Sequence, residues 1–223
     1  MLMDEPFGAV DPIVRERLQN EFLRLQEDLA KTILFVTHDI DEAIKLGDVV
    51  AVFQAGGIVA QFASPAEILA NPASDFVAKF VGADRGLKRL SLFRVGQLPL
   101  REVVTARVGG DAADARRRAI EAPWGHLLLV DREDHPVGWI GEDAVPEAGR
   151  LTADLVESSS PLLDRRTTLK DALSMLLDAD VQAGIVVDRT GTLRGMVTIG
   201  EIADWMRASG MEQPEVERRE AED

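Results

Sequence analysis

Apolar and polar positions alternate along this chain with two different periods, and the changes of period predict its elements. Asp11 can cap a helix with Pro12 in its first position, after which Val14, Leu18, Phe22, Leu25 and Leu29 recur every three or four residues. That spacing predicts an amphipathic helix. In KTILFVTHD, Thr32 to Thr37 form an apolar run rich in β-branched residues, which predicts a strand of a parallel sheet buried on both faces. DEAIKLGD reads as a short helix stopped by Gly47, and VVAVFQ and IVAQF flank Ala55, Gly56 and Gly57 as a hairpin. SPAEIL carries a capping signal, with Ser64 at the cap, Pro65 behind it and Glu67 two further on. The first half therefore reads as α/β, helices packed on a sheet.

The second half repeats itself. Shifting by 57 residues places Asp131 on Asp188, Gly138 on Gly195, Ala115 on Ala172 and Ile120 on Leu177. Each copy is expected to run helix, strand, tight turn (Asp131 to Pro136, Asp188 to Gly191), strand and a further helix, an α+β unit that packs against its twin. Between the halves, GADRGLKRLSLFRVGQLPL loses periodicity and gains glycine and base, so the boundary falls near residues 86 to 98. Expected segments are 1–90, 98–148, 152–208 and a tail, 209–223.

Composition narrows the class. With 223 residues and 46% hydrophobic content, the chain can build one large or two small cores. Its longest apolar stretches, ILFV at 33 to 36 and LLLV at 127 to 130, fall far short of the roughly 18 residues of a membrane span. The start has no basic segment, and Asp4 and Glu5 stand where a signal peptide needs an apolar run. The absence of cysteine excludes disulfides and thiolate metal sites. A formal net charge of -14 argues against nucleic acid or anionic lipid as a partner. The ending MEQPEVERREAED is dense in charge and reads as a solvated, disordered tail.

The candidate chemistry begins at MLMDEPFGAVDP. Three apolar residues precede Asp4 and Glu5, so either a short edge strand starts here or the front of a longer domain is missing; the second is the expectation. Nucleotide hydrolysis needs one carboxylate for Mg²⁺ and a second for the attacking water, and adjacent acids at the carboxyl end of a parallel strand supply both. His38, just past the next strand, would reach over the same edge toward a terminal phosphate. The alternatives are an Asp-Glu pair opening a turn and a histidine satisfied at a strand end.

Taken together, MDEPFGAVDP and FVTHDIDEAIKLGD resemble the second half of the nucleotide-binding subunit of an importer-type ABC transporter, over about residues 1 to 95. The resemblance makes Asp4 the magnesium-binding end of the Walker B strand, Glu5 the catalytic base, Asp11 part of the loop crossing to a second copy, and His38 the switch histidine. It implies ATP and Mg²⁺ as cofactors. The second half resembles a pair of CBS domains, and the combination is similar to the ATPase subunits of importers for glycine betaine, proline betaine, choline and related quaternary amines. Implied partners are a second ATPase copy, transmembrane permease subunits and, indirectly, an extracytoplasmic substrate-binding protein, with the chain on the cytoplasmic face of the membrane.

In nucleotide-binding CBS copies a hydroxyl residue serves phosphate and an acid serves ribose. Thr198 and Glu201 stand at those positions in the second copy, Glu201 replacing the usual Asp with one more methylene of reach. Gly141 and Ala144 stand there in the first copy and offer neither group. Thr198 also fits a strand end as an ordinary β-branched residue. The pair is expected to bind an adenine nucleotide, to sense ionic strength, or only to dimerise.

No Walker A segment, glutamine loop or LSGGQ signature is present, so the expectation is a C-terminal fragment, inactive alone, whose strands lack sheet neighbours. A non-catalytic regulatory module is the competing function. His126 and His135 lack metal-ligand spacing and read as structural, Trp124, Trp139 and Trp205 as filling the seam between copies, and Arg116, Arg117 and Arg118 as a solvated face.

Overall fold

The computed structural model describes residues 1–29, 31–179 and 181–208, so the expected acidic tail lies outside the described residues. The chain divides into two compact units, Met1–Leu92 and Phe93–Asp223. Among the described residues no helix is long and apolar enough to cross a membrane.

In the first unit β1 (Leu2–Asp4), α1 (Pro12–Leu29) and β2 (Leu34–Val36) form a strand-helix-strand crossover. The strands pair in parallel, Leu2 opposite Leu34, Met3 opposite Phe35 and Asp4 opposite Val36. The helix starts where expected, because Asp11 Oδ1 accepts from the amides of Ile13 and Val14 at 3.2 and 3.1 Å. Burial of the strand does not follow the expectation. The sheet has only two strands, and Leu34 and Val36 are 65% and 47% exposed. Burial on both faces needs flanking strands and helices on each side, which this pair lacks. The apolar stripe of α1 is likewise open at Val14, Leu18 and Leu25, while Phe22 meets Phe7, which also packs on Phe35.

Next come α2 (Ile40–Leu46), β3 (Val50–Gln54), β4 (Ile58–Ala63), α3 (Pro65–Ala70), α4 (Asp75–Val81) and α5 (Arg85–Leu90). β3 and β4 form the expected hairpin, and Gly56 and Gly57 supply the positive φ its turn demands. Ser64 Oγ accepts the Glu67 amide at 3.3 Å and so caps α3. Ile44, Val50, Val52, Ile68, Leu69, Val77 and Val81 make the core.

The second unit holds two sheets of the same plan. β5 (Thr105–Arg107), α6 (Ala112–Glu121), β6 (His126–Val130) and β7 (Pro136–Gly141) are matched, at a constant shift of 57 residues between their first residues, by β8 (Leu162–Asp164), α7 (Leu169–Leu177), β9 (Ala183–Val187) and β10 (Leu193–Thr198). In each sheet the first strand runs parallel to the middle one and the last antiparallel. The second copy continues into α8 (Ile199–Ala208). The first copy has no helix there, contrary to expectation: Pro146 and Gly149, the latter at φ 107°, break the stretch that follows β7.

The copies exchange their leading segments. Arg101, ahead of the first copy, bonds through its backbone N–H and C=O to Met196 of β10 at 3.0 and 2.9 Å, and the segment at Ser158, ahead of the second, pairs with Trp139 of β7. Leu128, Val130 and Trp139 pack with Ile185 and Met196 across the seam. Of the three tryptophans only Trp139 fills that seam: Trp205 sits edge-on to Phe93 and Trp124 is 48% exposed.

Close packing inside the second copy gives a direct test. A Cβ on Gly184 would collide with Leu163 Cδ1 and stand 3.0 Å from its Cγ, and Leu163 is fully buried. Gly184→Ala is expected to cost about 1–3 kcal/mol by overpacking and Leu163→Ala about 2–5 kcal/mol by opening a cavity. In urea unfolding the double variant should lose clearly less than the two losses added together; strict additivity would contradict this packing.

Candidate functional site

The parallel register of β1 and β2 brings the residues after each strand to one edge. Glu5 donates its amide to Val36 O at 2.8 Å, extending the ladder by one bond. Glu5 then turns at φ 42°, a left-handed conformation unusual for a non-glycine residue. His38 Nδ1 lies 2.9 Å from Glu5 Oε1, and both side chains are open to solvent. Gly8 keeps the loop clear, since a Cβ there would stand 3.3 Å from Glu5 Oε2.

The backbone on either side of His38 is tied down by a buried carboxylate. Glu42 is 5% exposed, and its Oε2 accepts from Thr37 Oγ1 at 2.8 Å while its Oε1 accepts from Gln19 Nε2 at 3.2 Å. Thr37 Oγ1 in turn accepts the Asp39 amide at 3.0 Å, and Asp39 caps α2. The residues flanking His38 are thus pinned to α1 and α2. Sequence reasoning missed this support, because an acid in the first turn of a helix reads as a dipole partner.

The other two candidates of this unit stand differently. Asp4 ends β1, and among the described residues no hydrogen bond or ion pair engages its carboxylate. Asp11 is occupied by capping its own helix. Glu5 and His38 are therefore the candidates brought into contact.

In the second unit Thr198 and Glu201 meet reciprocally. The Thr198 amide and hydroxyl both donate to Glu201 Oε2, the amide at 2.7 Å, and Thr198 Oγ1 accepts the Glu201 amide at 3.4 Å. This is a capping box at the start of α8, a structural role readable from the T-x-x-E spacing and overlooked there. Glu201 Oε1 pairs with Arg101 Nη2 at 2.5 Å, and the Arg101 guanidinium lies 5.2 Å over the Trp124 ring. At the matching place in the first copy, Glu157 Oε2 accepts the Gly141 amide at 2.9 Å.

The turn after β6 gathers possible ligand atoms. His135, read from its spacing as structural, comes together with Asp131 and Glu133, their ligand atoms within 4.8 Å of one another. Asp131 Oδ1 nevertheless accepts the amides of His135 and Glu133, at 2.8 and 2.9 Å, and Oδ2 lies 3.1 Å from His135 Nδ1; these bonds, the His135 amide foremost, hold its carboxyl below the usual range. Asp188 does the same for Thr190 and Thr192 in the second copy, where neither partner is a metal ligand. The shared device closes a turn. The arginine run is solvated at Arg117 and Arg118, whose side chains are 68% and 42% exposed beside Asp114, while Arg116 donates to Val145 O.

A CBS domain family model matches residues 153–208. The chain is 40% identical over 207 residues to the osmoprotectant import ATP-binding protein OsmV of Salmonella typhimurium, covering 92% of this chain and 54% of that protein. It is 38% identical over 208 residues to the glycine betaine/carnitine/choline transport ATP-binding protein OpuCA of Bacillus subtilis, again 92% and 54%. A CBS-pair protein of Arabidopsis thaliana aligns at 19% identity over 54% of this chain and 99% of that one, with a TM-score of 0.47, too low to bear on function. The chain is thus a relative of ABC-transporter ATP-binding proteins. Within them its relatives are those named for osmoprotectants and quaternary amines, and it spans about half the length of the curated relatives it matches.

The Glu5 pair fixes a proton affinity. The hydrogen bond that the imidazole donates to Glu5, then the charge of Glu5, raise His38 above its ordinary value of 6.5. Because the folded value is raised, the contribution of the pair to stability is complete below the unfolded pKa and fades as pH rises through the folded one. Replacing Glu5 by Gln should bring the His38 titration midpoint, followed by NMR of the imidazole protons, down toward about 6.5. An unchanged midpoint would show that the two side chains do not meet in solution.

Proposed function

We propose that this chain is the part of a quaternary-amine importer's ATPase subunit that carries the catalytic base and switch histidine, joined to a regulatory CBS pair. The observation that carries the reading is the Glu5–His38 contact at the carboxyl edge of two parallel strands, where a sheet of this kind receives its ligand. Asp4, at the carboxyl end of β1 beside Glu5, would hold Mg²⁺, which when bound neutralises charge on the transferring phosphate. Glu5 accepts a proton from, or orients, the attacking water. His38, with Nδ1 on Glu5 Oε1, leaves its other ring nitrogen to donate to a phosphate oxygen. Asp11 sits in the loop assigned to a second ATPase copy.

The fit is chemical as well as positional. Glu5 and His38 are both accessible, and the buried Glu42 fixes Thr37, the residue before the histidine. Coupling to permease subunits, supply of solute by an extracytoplasmic binding protein and residence on the cytoplasmic face of the membrane belong to the same reading, supported by the names of the relatives. In the CBS pair, Thr198 and Glu201 of the second copy are assigned to the phosphate and ribose of an adenine nucleotide. The first copy is assigned no ligand, since Glu157 occupies the Gly141 amide.

In the longer protein that a half-length match implies, Glu5→Gln should lower ATP hydrolysis by roughly a hundredfold or more while ATP still binds. Hydrolysis near the parent rate would remove Glu5 from the chemistry and the ATPase reading with it.

A further inference from the structure

Resting on the nucleotide reading of Thr198 and Glu201, we infer that Arg101 and Trp124 complete that site, the indole as a platform for a purine and the guanidinium as the counter-charge for its phosphate. Four observations converge. The Arg101 backbone is pinned to Met196, two residues before Thr198, by bonds of 3.0 and 2.9 Å. Its guanidinium bridges the two ends of the site, at 2.5 Å from Glu201 Oε1 and 5.2 Å above the Trp124 ring. Trp124 is half exposed, although a large aromatic side chain ordinarily gains by burial. Its backbone is held by His126, whose Nδ1 lies 2.6 Å from Trp124 O.

The internal repeat serves as a control. At the same shift of 57 residues Arg101 corresponds to Ser158 and Trp124 to Val181, so the first copy has neither cation nor aromatic face at its equivalent place. It has Glu157 instead, whose negative charge would repel a phosphate. Cation, ring, hydroxyl and acid gather at the second copy only. The ligand class that uses all four is a purine nucleotide: a π-face stacks, a guanidinium binds phosphate, and a carboxylate accepts from ribose hydroxyls.

Entry of the ligand exchanges contacts rather than creating a cavity. The purine takes the ring face now covered by Arg101, the guanidinium turns to the phosphate, and Glu201 Oε1 is released to the ribose. Glu201 Oε2 keeps the Thr198 amide, so the start of α8 stays capped, while the Thr198 hydroxyl turns from that oxygen to the phosphate.

Tryptophan fluorescence and calorimetry of the full chain with AMP, ATP and adenosine test this. Trp139 is buried and bonded to Ser160, and Trp205 rests on Phe93, so quenching on AMP addition should come from Trp124 and vanish in Trp124→Phe. Arg101→Gln should weaken AMP by roughly tenfold or more and adenosine by less than about twofold. Trp124→Leu should weaken both ligands, and Trp124→Phe should restore most of the affinity. If the parent chain binds none of the three ligands, the nucleotide reading fails and this inference with it. If the parent binds AMP and Glu201→Ala abolishes binding, yet Arg101→Gln and Trp124→Leu bind as the parent does, this inference alone is overturned. Both side chains are about half exposed, and circular dichroism of each variant confirms that it is folded.

Discussion

The parallel pairing of β1 with β2 is the constraint on which the first unit's chemistry depends. Asp4 stands opposite Val36, and the Glu5 amide closes the ladder on the Val36 carbonyl, so the next side chains of both strands emerge at one edge. A slip of one residue would turn His38 to the other face, because side chains alternate along a strand. The pairing is short and its outer faces are open, so the register needs support from elsewhere. Glu42 supplies it: a buried carboxylate satisfied by Gln19 and Thr37 ties the turn after β2 to helices on either side. Removing either donor would leave a buried carboxylate oxygen short of a hydrogen bond, which costs more than the bond itself contributes.

The second unit solves a different problem with the same economy. Each copy alone buries a modest core, and the exchanged segments at Arg101 and Ser158 make the two sheets one structure. This exchange also fixes what faces each strand end. Arg101 arrives beside the end of β10, and Glu157 arrives beside the end of β7. Two copies of one scaffold therefore present opposite charges at equivalent places, a difference created by the connecting segments rather than by the repeats.

Much of this was legible beforehand. The 57-residue shift was readable because strands β6, β7, β9 and β10 are long enough to show their pattern, and the cap at Asp11 and the Gly56–Gly57 turn carry local signals. The three-residue strands β5 and β8 carried too little pattern to detect. Exposure of the α1 stripe was hidden, since periodicity reports an amphipathic face and not whether anything covers it. The Glu5–His38 contact was accessible as proximity across adjacent strand ends. The Glu42 network and the Arg101–Glu201–Trp124 stack were not, because they depend on which side chains the tertiary fold turns inward or brings across a seam.

The conformation of Glu201 has a local cause that bears on the site. The Glu201 side chain folds back so that Oε2 receives the Thr198 amide, completing the capping box, while Oε1 faces Arg101. The two oxygens thus divide the labour between helix and cleft. Because the two oxygens have separate partners, the exchange of Arg101 for a pair of hydroxyls that the nucleotide reading calls for would leave the bond to the Thr198 amide intact. Conformational change at this site can therefore remain confined to one guanidinium and one ring face, without disturbing the strand that fixes both copies together.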